Sequence, residues 1–480
     1  VLDHSGHVFD YVYNGRVTDN FKDEDILNGP SGCEPPVLWI DSKGRPRRDW
    51  KNIIPEGTNL SPDDAIYPDE LRNYLFYRRR GEKISDDILV EADPDNSFVK
   101  GDFSVMRQFA VEFDAALPGN ETIRDSLGTR PVLSILSRIY QYIIAKYDID
   151  GFRIDTVKHV HPSMVETFGN SIREFALSIG KKNFFIFGEI YDNEDIISKF
   201  VGRNSTEVDS FGIDAALDFC VFYKLPGVAK STLPVEDLRN TFEYRRQVQI
   251  RQLSTHGETG RFFVTFLDNH DICSRFYEPD TSIYQVLLGI TLLFTLQGIP
   301  CLYYGTEQGF QGAKDERGKP LLIYPESVRE AMWGSESKFD TNGIIYKEIS
   351  KITGIKNYYA PLRYGRFYFR ELSANGKDFG QSFGIGGIVA FSRVLWNDEV
   401  LVAANTSTTE AFKGFVIIDR DVNIRRPEYN IVYSNMGSKK KSIAEVGDLN
   451  IWSNGEAYLT KSARLYIELS PMEVQILAGF

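Results

Sequence analysis

Arg153 and Asp155 stand two residues apart in the short apolar stretch GFRID (151–155). Side chains alternate across a β-strand, so this spacing puts both charges on one face and Phe152 and Ile154 on the other. A charge in a low-dielectric interior is costly unless it is paired, hydrogen-bonded or used in chemistry. A neighbouring arginine keeps a carboxylate ionised, which suits a nucleophile, although a structural ion pair explains the same spacing.

Two further acids follow apolar runs that read as strands. Glu189 comes directly after FFIFG (184–188), and Asp271 closes FLDNHD (266–271). Alone, Glu189 reads equally well as a capping or surface residue, and the second cluster as a polar turn. If the strands are parallel in a barrel, however, their carboxyl ends surround one mouth and the acids converge there. Clustered acids with an arginine and a histidine are typical of glycoside hydrolysis, in which one carboxylate attacks the sugar and another protonates the leaving group.

Helices and strands alternate between about residue 131 and residue 310, which predicts a parallel sheet with right-handed crossovers. Apolar residues recur at helical spacing in 131–147 and 161–180. The apolar stretch 282–300 favours a buried helix over a membrane span, because glutamine and glycine interrupt it. The expected strands are the runs 150–155, 184–190, 215–223, 261–271 and 298–305.

The flanking segments differ in composition. Residues 6–130 are rich in Gly, Pro, Asp and Asn and predict a long irregular insertion, of a length that is usually functional. From about residue 380, β-rich runs divided by turn residues predict an antiparallel β-sandwich. We therefore predict an α/β fold with a barrel of parallel strands that includes 131–310, a long insertion in 6–130 and a C-terminal antiparallel β-sandwich in 379–480.

Composition excludes several classes of function. The chain has 55 basic and 67 acidic residues and a net charge of −12, which argues against a nucleic-acid partner. The four cysteines (33, 220, 273 and 301) show no C-x-x-C pair and indicate neither a zinc site nor a disulfide framework. No membrane partner is expected. No signal peptide is visible and the first residue is Val1, so the compartment is left open.

Several motifs, in order, resemble those of the α-amylase family, glycoside hydrolase family 13. GFRIDTVKH, FGEI and FLDNHD are similar to the motifs of the family's fourth, fifth and seventh strands. GIPCLYYGTEQG resembles its eighth-strand segment, and VLDHSG the tail of its third-strand motif. The resemblance implies an incomplete (β/α)8 TIM barrel in 1–5 and 131–378, whose first strands are missing from this chain, with an insertion domain after strand 3 in 6–130. It also implies a retaining hydrolase that cleaves α-glucosidic bonds, with α-1,4 bonds of an α-glucan or maltooligosaccharide as the expected target.

The resemblance also implies catalytic roles, residue by residue. Asp155 would be the nucleophile and Glu189 the general acid/base. Asp271 would be the third carboxylate, which binds sugar hydroxyls and stabilises the transition state. Arg153 would orient Asp155.

Substrate-binding positions follow from the same motifs. By the resemblance, His270 and His4 would hydrogen-bond the sugar in the cleaved subsite. Lys158 and His159 resemble the pair that α-amylases use on the leaving-group side, which points to an α-1,4-glucan. Related transferases share this pair, so it does not separate hydrolysis from transfer.

Many family members hold a structural calcium between the insertion and the barrel. By the resemblance, Asp3 occupies a position usually filled by asparagine, and the His159 carbonyl is a second candidate ligand. Glu112 is a third candidate, and calcium prefers such hard oxygen ligands. An ordinary solvated acid explains Glu112 equally well. No organic cofactor is implied.

The resemblance is incomplete at the N-terminus. Strands 1 and 2 of the family, and most of strand 3, have no counterpart before Val1. A barrel without its first strands leaves parallel edges unpaired. We therefore expect the chain to be an N-terminally truncated fragment of an active enzyme, or an incomplete product of its gene.

Three rival functions stay open on the sequence. The nearest is an α-glucan transferase or a trehalose-forming isomerase of the same family, because the catalytic trio is shared. A second is a carbohydrate-binding protein without turnover. A third is a metal-dependent TIM-barrel hydrolase, which is disfavoured because His4, His159 and His270 lack tight metal-ligand spacing.

Overall fold

The computed structural model describes two compact units: Val1–Leu217 with Gln249–Thr259, and Asp218–Val248 with Gly260–Phe480. The predicted insertion falls mostly outside the described residues, and the predicted domain boundaries stay predictions. The described residues are 2, 4–5, 11–13, 16–18, 38–40, 46–47, 68–72, 76–78, 82–83, 101–102, 107–111, 113–204, 212–249, 252–254, 257–314, 326–333, 339–423, 428–453 and 456–479.

A parallel sheet carries the acids of the first unit. Its strands among the described residues are β1 (Gly151–Ile154), β2 (Phe185–Gly188) and β3 (Ala215–Ala216). β1 pairs with β2 and β2 with β3, both in parallel. Helix α1 (Pro131–Tyr147) precedes β1, and α2 (Pro162–Ser178) connects β1 to β2. The predicted alternation of helices and parallel strands is confirmed for this part of the chain.

The two helices cover one face of this sheet. The ring of Tyr140, on α1, lies 5.4 Å from that of Phe152 on β1 and 5.6 Å from that of Phe168 on α2. Phe152 therefore points towards the helices. Because side chains alternate along a strand, Arg153 points to the opposite face, as its spacing predicts.

The second unit adds a further parallel pair and three long helices. Strands β4 (Val264–Thr265) and β5 (Ile299–Pro300) pair with Val264 opposite Ile299. The three helices are α3 (Val235–Gln249), α4 (Ile283–Thr295) and α5 (Ile344–Tyr358). α4 begins with a capping box formed by Ser282 and Gln285, and ten consecutive residues from Val286 to Thr295 are buried. The prediction of a buried helix in the apolar stretch is confirmed. Over the described residues, every helix is too short or too polar to cross a membrane.

The C-terminal part of the second unit consists of two sheets whose strands pair antiparallel, except that Asp378–Phe379 pairs in parallel with Glu445–Ser453. Their inner faces share one core, which includes Ala390 and Leu401 of the first sheet and Val416 and Leu465 of the second. The predicted β-sandwich is confirmed. Its strands are β6 (Arg366–Phe369), β7 (Leu372–Ser373), β8 (Asp378–Phe379), β9 (Ile388–Leu395), β10 (Asp398–Asn405), β11 (Phe412–Ile418), β12 (Glu428–Ser434), β13 (Lys441–Ile443), β14 (Glu445–Ser453), β15 (Glu456–Leu469) and β16 (Val474–Gly479). Over the described residues the sheet orders are β6-β9-β10-β16-β12-β13 and β7-β11-β15-β14-β8.

The prediction of a strand over 215–223 is partly wrong. Only Ala215–Ala216 is a strand, and Phe219–Phe222 is a helical turn. The side chain of Asp218 caps this turn by accepting a hydrogen bond from Val221 N at 3.0 Å. A short apolar run does not distinguish a buried strand from a buried helix by its periodicity. The predicted strands at 261–271 and 298–305 are also much shorter, as β4 and β5 show.

The remaining elements are short. The other strands are His4–Ser5, Tyr11–Tyr13, Arg16–Thr18, Leu38–Ile40, Pro46–Arg47, Tyr77–Arg78, Glu82–Lys83, Gly101–Asp102, Arg107–Phe109, Arg203–Asn204, Gln252–Ser254 and Gly257–Glu258. The other helices and helical turns are Asp69–Arg72, Glu121–Leu127, Val157–His159, Glu194–Ile197, Phe219–Phe222, Leu225–Ala229, Thr259–Arg261, Thr306–Gln308, Glu326–Val328, Ala360–Tyr364 and Arg420–Asn423.

Candidate active site

The ends of β1 and β2 hold the backbone of Glu189 from both sides. Glu189 N donates to Ile154 O at 2.8 Å, and Glu189 O accepts from Val157 N at 3.0 Å. Between these contacts Thr156 adopts a left-handed conformation, with φ 52. This turn directs Thr156 N towards Glu189 Oε2, at 3.2 Å. The turn after β1 therefore fixes both the backbone and the carboxylate of Glu189.

Arg153 bridges the two acids of the first unit. Its Nη1 lies 3.2 Å from Asp155 Oδ1, and its Nη2 lies 2.9 Å from Glu189 Oε2. One guanidinium thus holds the carboxyls of Asp155 and Glu189 close to each other. The structure thus brings together three residues that the sequence placed at the ends of two strands. The sequence assigned Arg153 to Asp155 alone and missed its contact with Glu189.

These side chains are less buried than the apolar sequence around them suggested. The side chains of Arg153 and Asp155 are 32% and 29% exposed, and that of Glu189 is 13% exposed. The expectation of an interior strand is therefore wrong at this end of β1. The arginine and the aspartate reach solvent, whereas the glutamate is the more enclosed acid.

Burial raises the pKa of Glu189 from 4.5 to about 7. The hydrogen bond and the charge of Asp155 act in the same direction, while Arg153 and the Thr156 N–H oppose the shift. Two neighbouring carboxyls do not readily ionise together. The enclosed Glu189 therefore holds a proton near neutral pH.

Gly188 allows the close packing that positions Glu189. A Cβ at this position would lie 2.6 Å from Ile213 Cδ1 and 2.7 Å from Val157 Cγ2. Both distances are too short for carbon atoms in ordinary contact. The glycine of the FGEI motif is therefore required for close approach of the neighbouring side chains.

Lys158 and His159 lie on the helical turn that follows Asp155, and both are buried. Lys158 Nζ donates to Tyr191 O at 2.9 Å and lies 4.0 Å from Asp192 Oδ2. The lysine is thereby tied to the segment that follows Glu189. Tyr191 and Asp192 were missed by sequence reasoning, although they stand directly after the FGEI motif.

Asp271 belongs to a second group of side chains, in the second unit. Its Oδ2 lies 3.0 Å from His270 Nε2, and its Oδ1 lies 2.9 Å from Arg329 Nη2. Arg329 Nε also donates to His270 O at 3.0 Å, and Asp271 N donates to Asn269 Oδ1 at 2.8 Å. The sequence singled out Asp271 and His270 but missed Arg329. Arg329 is so far from them along the chain that no local sequence pattern indicates the contact.

Two buried residues support this group. Asp268 accepts a hydrogen bond from Phe276 N at 3.0 Å, and burial raises its pKa to about 6. Arg275 is almost fully buried, lies 2.7 Å from Glu330 Oε2, and has its guanidinium 4.2 Å from the ring centre of Tyr303. A buried charge with a hydrogen-bonded partner and an aromatic face is well compensated. These contacts brace the chain directly before and after His270 and Asp271.

Three predicted residues have side chains that lie outside the described part of the chain. They are His4, Asp3 and Glu112, of which only the backbone of His4 is described, in the strand His4–Ser5. Within the described residues, no group of three or more His, Cys, Asp or Glu side chains forms a metal site. The calcium ligands and the sugar contact of His4 therefore stay predictions.

The first unit thus presents an acid that holds a proton and a second acid held beside an arginine. A proton donor and a carboxylate held by one arginine are suited to general acid chemistry combined with nucleophilic attack. Of the described predicted site residues, Arg153, Asp155 and Glu189 form one group, with Lys158 and His159 on the adjoining turn. His270 and Asp271 form the other, with Arg329.

Residues 129–351 match the family described as Alpha amylase, catalytic domain. The alpha-amylase of Streptomyces lividans is 27% identical over 334 residues, which are 63% of this chain and 33% of that protein. The cyclomaltodextrin glucanotransferase of Bacillus sp. (strain 1-1) is 28% identical over 264 residues, which are 54% of this chain and 31% of that protein. The chain therefore spans about a third of the length of these curated relatives.

The solved structures point to the same fold. The alpha-amylase of Geobacillus thermoleovorans, whose crystal structure is a complex with acarbose, is 19% identical to this chain. The likeness has a TM-score of 0.57 and covers 87% of this chain and 75% of that one. It confirms the predicted fold class, a TIM-barrel α/β domain with a C-terminal antiparallel β domain. In sequence and in fold, residues 129–351 of this chain are thus similar to the α-amylase catalytic domain of glycoside hydrolase family 13.

Proposed function

We propose that this protein is a retaining α-glucan hydrolase that cleaves α-1,4-glucosidic bonds by double displacement. Asp155 attacks the anomeric carbon, and Glu189 first protonates the leaving oxygen and then activates water. Arg153 positions both carboxyls. Asp271, with His270, His4, Lys158 and His159, binds the sugars on either side of the cleaved bond.

The bridge that Arg153 forms between the carboxyls of Asp155 and Glu189 carries this proposal. Retaining glycosidases hold their two carboxyls about 5–5.5 Å apart, whereas inverting enzymes leave about 6.5–9.5 Å for a water molecule between them. Two carboxyls bound to one guanidinium lie close together, which favours the shorter separation. Their proximity supports a covalent intermediate on Asp155 over direct attack by water.

The proton on Glu189 supports the same assignment of roles. A general acid is most effective when its pKa lies near the working pH. Burial and the neighbouring Asp155 raise the pKa of Glu189 to about 7. The solved relative from Geobacillus thermoleovorans binds acarbose, and the curated relatives include an alpha-amylase, which supports α-glucan as the substrate class.

The test is the stereochemistry and residue dependence of maltoheptaose cleavage. The first product detected by NMR is expected to be the α-anomer. Asp155→Asn should reduce turnover by at least about 10⁴-fold with an unchanged melting temperature, because the side-chain volume barely changes. Asp150→Asn is the matched control, because Asp150 is an exposed aspartate directly before β1 that pairs with Lys181. A β-anomer as first product, or near-normal turnover by Asp155→Asn, would overturn the proposal.

Glucan transfer is a second candidate, supported by the glucanotransferases among the relatives. Both reactions pass through the same covalent intermediate and differ in whether water or a sugar hydroxyl accepts the glycosyl group. Chromatography of the maltoheptaose products separates them. Shorter chains alone indicate hydrolysis, whereas longer or cyclic products indicate transfer.

We also propose, from the resemblance alone, a structural calcium held by Asp3, Glu112 and the His159 carbonyl. Hard oxygen ligands of this kind suit the ion. His159 is buried on the turn after Asp155, so an ion there would steady that turn. A melting temperature that falls on chelation with EGTA and recovers with added calcium, but not magnesium, is the expected result. An unchanged melting temperature would contradict it.

A further inference from the structure

A cleft with a volume of about 470 Å³ opens in the second unit. One wall is the end of α5 and the residues after it, including Tyr358, Tyr359 and Pro361. The other wall is the hairpin between β9 and β10, including Asn397 and Asp398. The volume lies within the range of about 300–1,000 Å³ that is usual for small-molecule sites. None of the lining residues belongs to the candidate active site.

The rings of Tyr358 and Tyr359 meet in the first wall. Their centres lie 4.8 Å apart, and their planes are inclined at 77°. The side chain of Tyr358 is 77% exposed, while Tyr359 is partly buried. Tyr359 is thus fixed, and Tyr358 stands against it as an open apolar face. An exposed aromatic ring with an anchored neighbour is a ready platform for a flat apolar surface of a ligand.

The hairpin of the second wall holds a residue in an unfavourable conformation. Trp396 and Asn397 form the two-residue turn between β9 and β10, and Trp396 has φ 52. The first position of such a turn favours glycine when φ is positive, and a bulky side chain there is strained. Trp396 is also 85% exposed. An exposed, strained tryptophan beside a cleft is unfavourable for the free protein, and such costs are usually connected with function.

Charge restricts the ligand that the cleft accepts. Among the described residues that line it there is no lysine or arginine, whereas Asp398 is exposed and Glu399 is also present. Arg370 Nη2 lies 2.8 Å from Glu399 Oε1, and Asp419 N donates to its Oε2 at 2.9 Å, so this buried carboxylate is already satisfied. An anion is therefore disfavoured. Asn397 and Asp398 suit hydroxyl groups, which need both donors and acceptors.

We propose that this cleft is a second carbohydrate-binding site, separate from the candidate active site. A sugar ring has an apolar C–H face for Tyr358 and hydroxyls at its edge for Asn397 and Asp398. The next ring of a sugar chain would contact the exposed Trp396, which adjoins the cleft in the same turn as Asn397. The identification of the sugar as an α-glucan chain rests on the proposed function. The site holds a polymeric substrate without taking part in bond cleavage.

Binding of the full chain to insoluble starch granules tests the site, and hydrolysis of 4-nitrophenyl maltotrioside tests the active site independently. Trp396→Gly and Tyr358→Ala should each weaken granule binding about tenfold, as expected for loss of an aromatic contact. Hydrolysis of the small substrate should stay within about twofold. Trp396→Gly should keep or raise the melting temperature, because glycine favours positive φ.

Tyr142→Ala is the matched control, because Tyr142 is a 60% exposed helical tyrosine that does not line the cleft. It should bind granules as the unmodified protein does. Granule binding that is unaffected by Trp396→Gly and Tyr358→Ala, or absent in the unmodified protein, would overturn the second site even if maltotrioside is cleaved. Binding that depends on Trp396 in a protein that cleaves no maltotrioside would instead support the site and refute the hydrolase function.

Discussion

Arg153 Nη2 lies 2.9 Å from Glu189 Oε2, which is closer than the 3.2 Å between Arg153 Nη1 and Asp155 Oδ1. The arginine therefore acts on the proposed proton donor as well as on the proposed nucleophile. Its charge lowers the pKa of Glu189, against the larger effect of burial. These opposing effects bring the pKa of Glu189 to about 7, and a general acid is most effective when its pKa lies near the working pH.

Replacing the arginine should disturb this balance. Arg153→Met removes the charge with little change in volume, so the pKa of Glu189 should rise above about 7. The alkaline limb of the pH profile of kcat/KM should move upwards, while kcat falls about 10²-fold because both carboxyls lose their common anchor. Arg138→Met, at a position on α1 whose side chain is 61% exposed, is the control. An unmoved alkaline limb would contradict the role of Arg153.

The proton on Glu189 should also be visible in stability. The pKa is raised in the folded state, from 4.5 to about 7, so the folded protein binds the proton more tightly than the unfolded chain. This contribution is complete below pH 4.5 and is lost as the pH rises through about 7. It should amount to roughly 2–3 kcal/mol. Denaturant titrations at several pH values should show this loss in the unmodified protein but not in Glu189→Gln.

The leaving group should decide how far Glu189 is needed. Glu189→Gln should lose most activity on maltoheptaose, roughly 10³-fold, because a sugar leaving group must be protonated. The same variant should keep much more of its kcat on a 2,4-dinitrophenyl maltoside, whose leaving group departs without a proton. Glu174→Gln, an exposed position on α2, is the control and should behave normally on both substrates. Equal losses on the two substrates would exclude Glu189 as the acid.

The close packing at Gly188 predicts a cost for a single added methyl group. Gly188→Ala should destabilise the protein by about 1–3 kcal/mol, because Val157 and Ile213 leave no space for a Cβ. It should also lower kcat by displacing Glu189. Gly354→Ala is the control, because a Cβ there meets nothing within 4 Å. In the middle of α5 it should stabilise by about 0.5–1 kcal/mol. Thermal unfolding of both variants measures the contrast.

Alkaline pH should stabilise the second unit through Lys356. Its Nζ donates to Phe294 O at 2.8 Å near the end of α4, and burial lowers its pKa to about 8. The unfolded chain keeps this proton up to its ordinary pKa of 10.5. The free energy of unfolding should therefore rise between about pH 8 and pH 10.5. Lys356→Met should abolish this rise in denaturant titrations. If the free energy of unfolding of the variant still rises over this pH range, another group is responsible.

The sequence predicted the residues of the site that lie close together in the chain or on adjacent strands better than the contacts between distant segments. Alternation along β1 and the position of Glu189 at the end of an apolar run were enough to predict that Arg153, Asp155 and Glu189 meet, since parallel strands end at one edge. The exact bounds of α1 followed from helical spacing. These features depend on residues that are near in the chain or in adjacent strands.

What the sequence missed depends on contacts between distant segments. Arg329 reaches Asp271, and Asp192 approaches Lys158, only because tertiary packing brings those segments together. The helical turn Phe219–Phe222 was predicted as a strand, because an apolar run is compatible with either state until Asp218 is seen to cap it. Tertiary packing decides which charged side chains pair, and the periodicity of the sequence does not reveal that packing.

The backbone hydrogen bonds of Glu189 to Ile154 and Val157 make the length of β2 more critical than the length of the connection that precedes it. Residues inserted in the surface connection between α2 and β2 leave both strand ends in place, because the bond from Glu189 N to Ile154 O is formed at the sheet. The loss of a single residue from β2 would instead turn the carboxylate of Glu189 to the face of the sheet that the helices cover. Changes in the length of this connection should therefore be tolerated, whereas a deletion within Phe185–Gly188 should abolish the proposed activity.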